Sequence, residues 1–230
     1  FEKAYNFTKD FRAIGTGICG FHSLMMKKRY PIGSFEARVL NNEIFKRMKE
    51  DTHEMNVWLA DNVGVPEGIK KAGLHLRNAT TLMMPPTKSS TELARNTPTE
   101  GIGMETAMVK IKESAGGEIF RINYEFLQYL KDNGKYNDEV VRSVAVNKGS
   151  VQHLDWMSEE DKRVFRTAFE IDMHDHLDLC SDRQQYIDQG QSINLWFSGA
   201  DSEYYIGEVH KRAMLDDGIN ALYYIYGIRG

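Results

Sequence analysis

Ser192-Ile193-Asn194-Leu195-Trp196-Phe197, then the helix-spaced set Tyr205, Ile206, Val209, Ala213 and Met214, then Asn220 to Tyr226 decide the fold class. The two flanking runs are rich in β-branched and aromatic residues and short enough to be strands. The set between them predicts a helix over 202–216 with one buried side, closed by Gly218. A strand–helix–strand unit at this spacing implies a right-handed crossover and hence parallel pairing. The chain is expected to be α/β.

Helical spacing also covers 123–132, 137–147 and 158–189, the last broken in two, with Ser158-Glu159-Glu160-Asp161 as an N-terminal cap. A long helix is expected from Ser34 to about Asn62, burying Phe35, Val39, Ile44, Met48, Met55, Trp58 and Leu59. Ser34 caps it, and Gly64 with Pro66 stops it. Ala79 to Met84 is a short strand candidate that Pro85-Pro86 ends, since proline cannot donate to a ladder. Met108 to Ile111 leads through a Gly116-Gly117 turn into Ile119 to Ile122. The architecture is helix-rich.

Net charge is −4 and pI near 6.0, so no general basic field is available for a nucleic-acid polymer. Lys27-Lys28-Arg29 reads as a solvated helix end. No apolar stretch approaches the ~20 residues that span a membrane. The two cysteines, Cys19 and Cys180, form neither a disulfide framework nor a zinc spacing and fit a reducing, cytoplasmic setting. Phe1 in place of Met points to a processed, spliced or trimmed chain.

Few places carry chemistry. Thr87-Lys88-Ser89-Ser90-Thr91-Glu92 follows the strand candidate at once, and Ser89-x-x-Glu92 reads as a capping box with a helix from about Ser90. Hydroxyls, free backbone N–H groups and the Lys88 ammonium suit phosphate, although a merely well-capped helix has the same signature. Tyr223 and Tyr224 offer oxidisable phenols, yet neighbours in a strand point to opposite faces and touch only at a strand end or twist. Packing at a core or interface is the ordinary explanation of such a pair. His174-x-His176 cannot chelate one ion from a regular helix, where positions two apart diverge, and the surrounding aspartates read as a solvated acidic turn. Gly15-x-Gly17-x-x-Gly20 lacks both a clear preceding strand and a following acidic residue, which leaves the dinucleotide pattern unsupported.

Four segments in order resemble the large, catalytic subunit of class I ribonucleotide reductases: Arg12-Ala13-Ile14-Gly15-Thr16-Gly17; Leu76 to Thr80 with Pro85 to Ser90; Tyr186-Ile187-Asp188-Gln189-Gly190-Gln191-Ser192; and Ala221-Leu222-Tyr223-Tyr224. The resemblance covers nearly all 230 residues and implies the C-terminal half of a ten-stranded α/β barrel, one half-barrel domain over 1–230. It implies that Thr87, Lys88, Ser89 and Ser90 hold the diphosphate of a ribonucleoside diphosphate. Tyr223 and Tyr224 would relay a radical to a cysteine that this chain does not carry. That cysteine, its partners, the reducing pair and the effector sites correspond to sequence upstream, and the thioredoxin- or glutaredoxin-reduced tail would follow Gly230. No cofactor is expected on this chain; a metal-containing small subunit supplies the radical. A complementary N-terminal segment or chain completes the barrel, as in a continuous subunit or a split, phage-type one. Pro86, Lys88 and Gly190 depart from the family pattern. Pro86, Gly190 and the absent catalytic cysteines keep open a second reading, a non-catalytic structural or regulatory α/β subunit.

Overall fold

The computed structural model describes residues 1–114 and 117–228. In chain order the helices before the first hairpin are α1 (Glu2–Phe11), α2 (Phe21–Lys28), α3 (Phe35–Val63), α4 (Glu67–Lys71) and α5 (Lys88–Leu93). The hairpin is β1 (Val109–Ser114) and β2 (Gly117–Ile122), followed by α6 (Tyr124–Asp132), α7 (Asp138–Val146) and α8 (Glu159–Val164). The chain then runs through α9 (Met173–Gln184), β3 (Ile193–Phe197), α10 (Glu203–Leu215) and β4 (Leu222–Gly227). Among the described residues no helix is long and apolar enough to cross a membrane.

The expected strand–helix–strand unit is present: β3 and β4 pair in parallel across α10. Parallel bridges join Thr16 to Leu82 and Met84 to Gln191, so segments around 16, 82–84, 191–197 and 222–227 lie side by side in chain order. The hairpin is antiparallel, with Val109 opposite Ile122; its expected turn residue Gly116 lies outside the described residues. The helix expected over 158–189 divides into α8 and α9, and the Ser158 hydroxyl accepts from Asp161 N–H.

The Ala79–Met84 segment pairs only at single bridges, for a local reason. The Asp188 carboxylate accepts the N–H groups of Thr81 (2.7 Å) and Leu82 (2.9 Å) and the Thr81 hydroxyl (3.0 Å), taking donors a ladder would use. Next to it, the Gln189 amide donates to the Ile14 (2.8 Å) and Leu82 (3.3 Å) carbonyls. These contacts explain the Ile187-Asp188-Gln189 run as a clamp between neighbouring strands. At Gly190 an added Cβ would meet open space, so packing places no demand for glycine there.

Gly15 and Gly17 serve close approach. A Cβ on Gly17 would lie 2.4 Å from the Met83 carbonyl oxygen and 2.5 Å from Pro85 Cδ; one on Gly15 would lie 2.9 Å from Met83 Cβ. Among the described residues before α2 there is an isolated bridge at Thr16 and no strand, in line with the sequence expectation. Protein atoms lie directly over both glycines.

Buried side chains form two clusters. One joins α2, α3, α9 and the parallel segments through Phe21, Met25, Phe45, Leu82, Met84 and Leu195; the other joins the hairpin to α6, α7 and α8 through Met108, Phe126, Leu130 and Phe165. Helix α3 runs as expected, with the Ser34 hydroxyl accepting from Ala37 N–H and Gly64 at its end. Its buried stripe is shifted, however. Ala37, Asn41, Phe45, Asn56 and Ala60 are buried and Leu40, Ile44 and Met48 pack against them, while Phe35 (77% exposed), Val39, Met55 and Trp58 (53% exposed) face outward. Buried asparagines that hydrogen-bond across elements displaced the face read from hydrophobicity: Asn41 donates to the Leu179 carbonyl and Asn56 to that of Asn78. On α10, Val209 and Ala213 are buried, but Met214 is exposed rather than on the packed side. Arg29 likewise is no solvated end, because it pairs with Asp161 and lies over the rings of Tyr129 (4.8 Å) and Phe165 (5.0 Å).

Candidate functional site

The corner after Pro85-Pro86 begins its helix earlier than the sequence implies. Thr87, not Ser89, is the N-cap, with left-handed backbone (φ 55°), and α5 starts at Lys88 with no side-chain cap. Ser89 and Glu92 therefore lie inside the helix and form no capping box. A β-branched residue at positive φ is strained, and Asn96, Thr97 and Gly101 in the loop after α5 share that region. The Thr87 hydroxyl accepts from Gly101 N–H at 2.7 Å, leaving its own proton to donate outward. Lys88, Ser89 and Ser90 are exposed beside it.

A cavity of about 480 Å³ opens next to this corner. Lys88 lines it, with Glu105, Lys110, Arg121, Asn194, Trp196 and Tyr226 among the other walls; Thr87, Ser89 and Ser90 do not. Burial alone would raise the Glu105 pKa. The Lys110 ammonium at 2.6 Å and the Asn123 amide at 3.1 Å outweigh that and hold it below the ordinary value, so Glu105 is ionised and paired. The His22 Nδ1 accepts Glu105 N–H at 2.9 Å, and burial pushes the pKa of this imidazole down to about 4, keeping it neutral. Two further cations, Lys88 and Arg121, face the same space.

Tyr223 and Tyr224 stand on β4, and their ring centroids are 4.1 Å apart at 53°. A regular strand would separate them. Between the pairs Ile193–Leu222 and Leu195–Ile225 the register shifts, so two residues of β4 oppose Asn194 alone. This bulge brings both rings to one side, an arrangement uncommon in parallel pairs. Hydrogen bonding to Tyr224, with minor desolvation, pushes the Tyr223 phenol above its ordinary pKa. Tyr226 follows at 5.8 Å from Tyr224 and stacks on Trp196 at 6.1 Å and 14°. The pair itself does not line the cavity; Tyr226 and Trp196 link the two places. Tyr223 is 47% and Tyr224 51% exposed, along an edge strand whose residues from Tyr223 to Gly227 are all exposed.

The remaining candidates separate cleanly. On α9 His176 is buried against Trp196 and lies 3.8 Å from Cys180 Sγ, while His174 packs on Tyr205. Burial and then the Arg183 charge push the His176 pKa down to about 3. Two of the aspartates are partnered rather than simply solvated: Asp178 pairs with Arg212, and Asp172 caps α9 and accepts the Tyr205 hydroxyl. Among the described residues no three His, Cys, Asp or Glu side chains gather as a metal site. Cys19 is exposed, and burial raises the Cys180 thiol pKa. Sequence reasoning missed Glu105, Lys110, Arg121 and Asn194. Of these only Asn194 had a local signal, a polar residue in an apolar strand.

The family described as "Ribonucleotide reductase, barrel domain" matches residues 1–73 and 64–225. The ribonucleoside-diphosphate reductase large subunit of Invertebrate iridescent virus 6 is 33% identical over 228 residues, covering 97% of this chain and 23% of that protein. The solved class Id ribonucleotide reductase alpha subunit of Actinobacillus ureae superposes with a TM-score of 0.85 at 30% identity, covering 97% of this chain and 40% of that one. A vitamin B12-dependent ribonucleoside-diphosphate reductase of Thermoplasma acidophilum is 28% identical over 197 residues, covering 83% of this chain and 25% of that protein. The chain thus spans less than half the length of each of these relatives. With the parallel segments in matching order and the helix-rich α/β architecture of a partial barrel, this chain belongs to the ribonucleotide reductase barrel-domain family.

Proposed function

We propose that this chain, as one half-barrel domain over 1–230, works within a class I, thioredoxin- or glutaredoxin-dependent ribonucleoside-diphosphate reductase. Thr87, Lys88, Ser89 and Ser90 hold the substrate's diphosphate. Tyr223 and Tyr224 pass the radical between a metal-containing small subunit and a cysteine on a complementary N-terminal segment or chain. In the relay each phenol gives one hydrogen atom, an electron with a proton, to its oxidised neighbour and regains one from the next group. No residue is consumed. This chain binds no cofactor of its own.

The observation that carries the reading is the ring pair at 4.1 Å, made by a bulge on an exposed edge. Two large rings packed on each other outside the core have little folding reason to be there, and long-range transfer needs such contact. The exposed hydroxyls and first-turn N–H groups of the corner suit phosphate, with Lys88 adding charge towards the cavity.

The test is reconstitution with the complementary segment and the small subunit. Tyr223→Phe and Tyr224→Phe keep the ring but remove the oxidisable hydroxyl, and each should abolish deoxyribonucleotide formation. Turnover equal to the parent would sink the relay and leave the non-catalytic reading. Lys88→Ala should raise the substrate KM with little change in kcat, as expected of ground-state binding.

A further inference from the structure

We propose that Asn194 is the positioning residue that creates the tyrosine pair; the inference rests on reading Tyr223–Tyr224 as the relay. In a bulge the extra residue loses its ladder partner. Here the Tyr224 N–H, opposite the point where β3 has one residue to β4's two, donates to the Asn194 side-chain oxygen at 3.1 Å. The amide thus replaces the missing backbone acceptor. Asparagine is also a poor strand former, and Asn194 is the one polar side chain in Ile193–Phe197.

The consequence for the rings follows from period two. Ladder pairs Leu195–Ile225 and Trp196–Tyr226 fix the faces after the bulge, and Ile193–Leu222 fixes the face before it. With the extra residue held, Tyr223 and Tyr224 both sit opposite Asn194 with their rings together, and Tyr226 lands on Trp196. Without an acceptor at 194, β4 gains by reverting to uninterrupted pairing, which sends the two rings to opposite faces. Although Asn194 is among the cavity walls, its side-chain oxygen is taken up by the Tyr224 N–H. It acts through the backbone of Tyr224.

In the assembled reductase, Asn194→Ala should lower kcat by about tenfold to a hundredfold, the scale of a small misplacement of reacting groups. The substrate KM should stay within about twofold, because the phosphate corner is untouched. Asn194→Asp keeps an acceptor oxygen in place and should restore most of the rate. With 3-aminotyrosine at position 224, the trapped radical seen by electron paramagnetic resonance should fall in the alanine variant, per assembled complex, and return with aspartate. A residue of purely structural importance would lower the amount of assembled enzyme instead. Parent kcat and radical yield in Asn194→Ala, with Tyr224→Phe inactive, overturn the positioning role and leave the relay standing. If Tyr224→Phe is active, the relay reading falls. Asn194 is then judged by a crystal structure of the alanine variant, where rings still in contact refute the proposal and rings on opposite faces uphold it. Should the alanine variant fail to assemble, Asn194→Ser shortens the acceptor's reach while staying polar. It should lose kcat at constant KM, and a parent kcat refutes the proposal.

Discussion

The corner at 79–90 and the strand at 222–227 carry the two halves of the proposed chemistry, and they are held in opposite ways. The corner is locked from several sides. Asp188 takes the donors of Thr81 and Leu82, Gln189 crosses to Ile14 and Leu82, Gly17 lets Met83 and Pro85 approach, and Gly101 closes on Thr87. β4 is paired along one edge only, exposes its aromatics and depends on one asparagine for its irregularity. The difference teaches where precision is stored. On the proposed reading, a cradle for an anion is best rigid before its guest arrives, whereas an exposed edge strand can wait for a partner to cover it.

This contrast can be broken in graded steps. Gly17→Ala forces a methyl group into the Met83 carbonyl and Pro85, and should cost about 3 kcal/mol in chemical denaturation, with loss of the corner's geometry. Acid should weaken the same side next. His22 is depressed to about 4 in the fold and ordinary when unfolded, so the unfolded chain binds the extra proton between those values and stability falls with pH. Moving from about pH 7 to about pH 5 should remove about 2 kcal/mol through His22, and His22→Gln should flatten that dependence. Asp188→Asn turns one acceptor into a donor against Thr81 or Leu82 and should cost about 1 kcal/mol, read as faster amide exchange over 80–84. Tyr226→Phe keeps the ring on Trp196 and should shift stability by less than about 0.5 kcal/mol. Equal sensitivity of both regions would dissolve the comparison.

Much of the fold was legible because periodicity and caps are local. Ser34, Ser158 and the β3–α10–β4 alternation announce their elements directly. The shifted face of α3 was not legible, because Asn41 and Asn56 are buried by hydrogen bonds to distant carbonyls that no hydropathy pattern contains. The start of α5 was misread for a related reason: Thr87 adopts left-handed backbone, tied to Gly101 fourteen residues on, while Ser89 looked like the cap. At the cavity, Lys88 was in reach of local reading, but Lys110 and Arg121 arrive from a hairpin whose placement is tertiary. The tyrosines were found as residues. Their contact depends on counting residues in the neighbouring strand, which a reading of β4 alone cannot do.

The bulge opposite Asn194 has a consequence for how this strand can change over generations. Substitutions along β4 are cheap, since most of its side chains face outward in this chain. A change of length is not. Deleting Tyr223 or Tyr224, the two residues between Leu222 and Ile225, would restore an uninterrupted ladder and improve the strand as a strand, while leaving a single ring where the pair stood. Here the number of residues, more than their identity, is what selection has to guard.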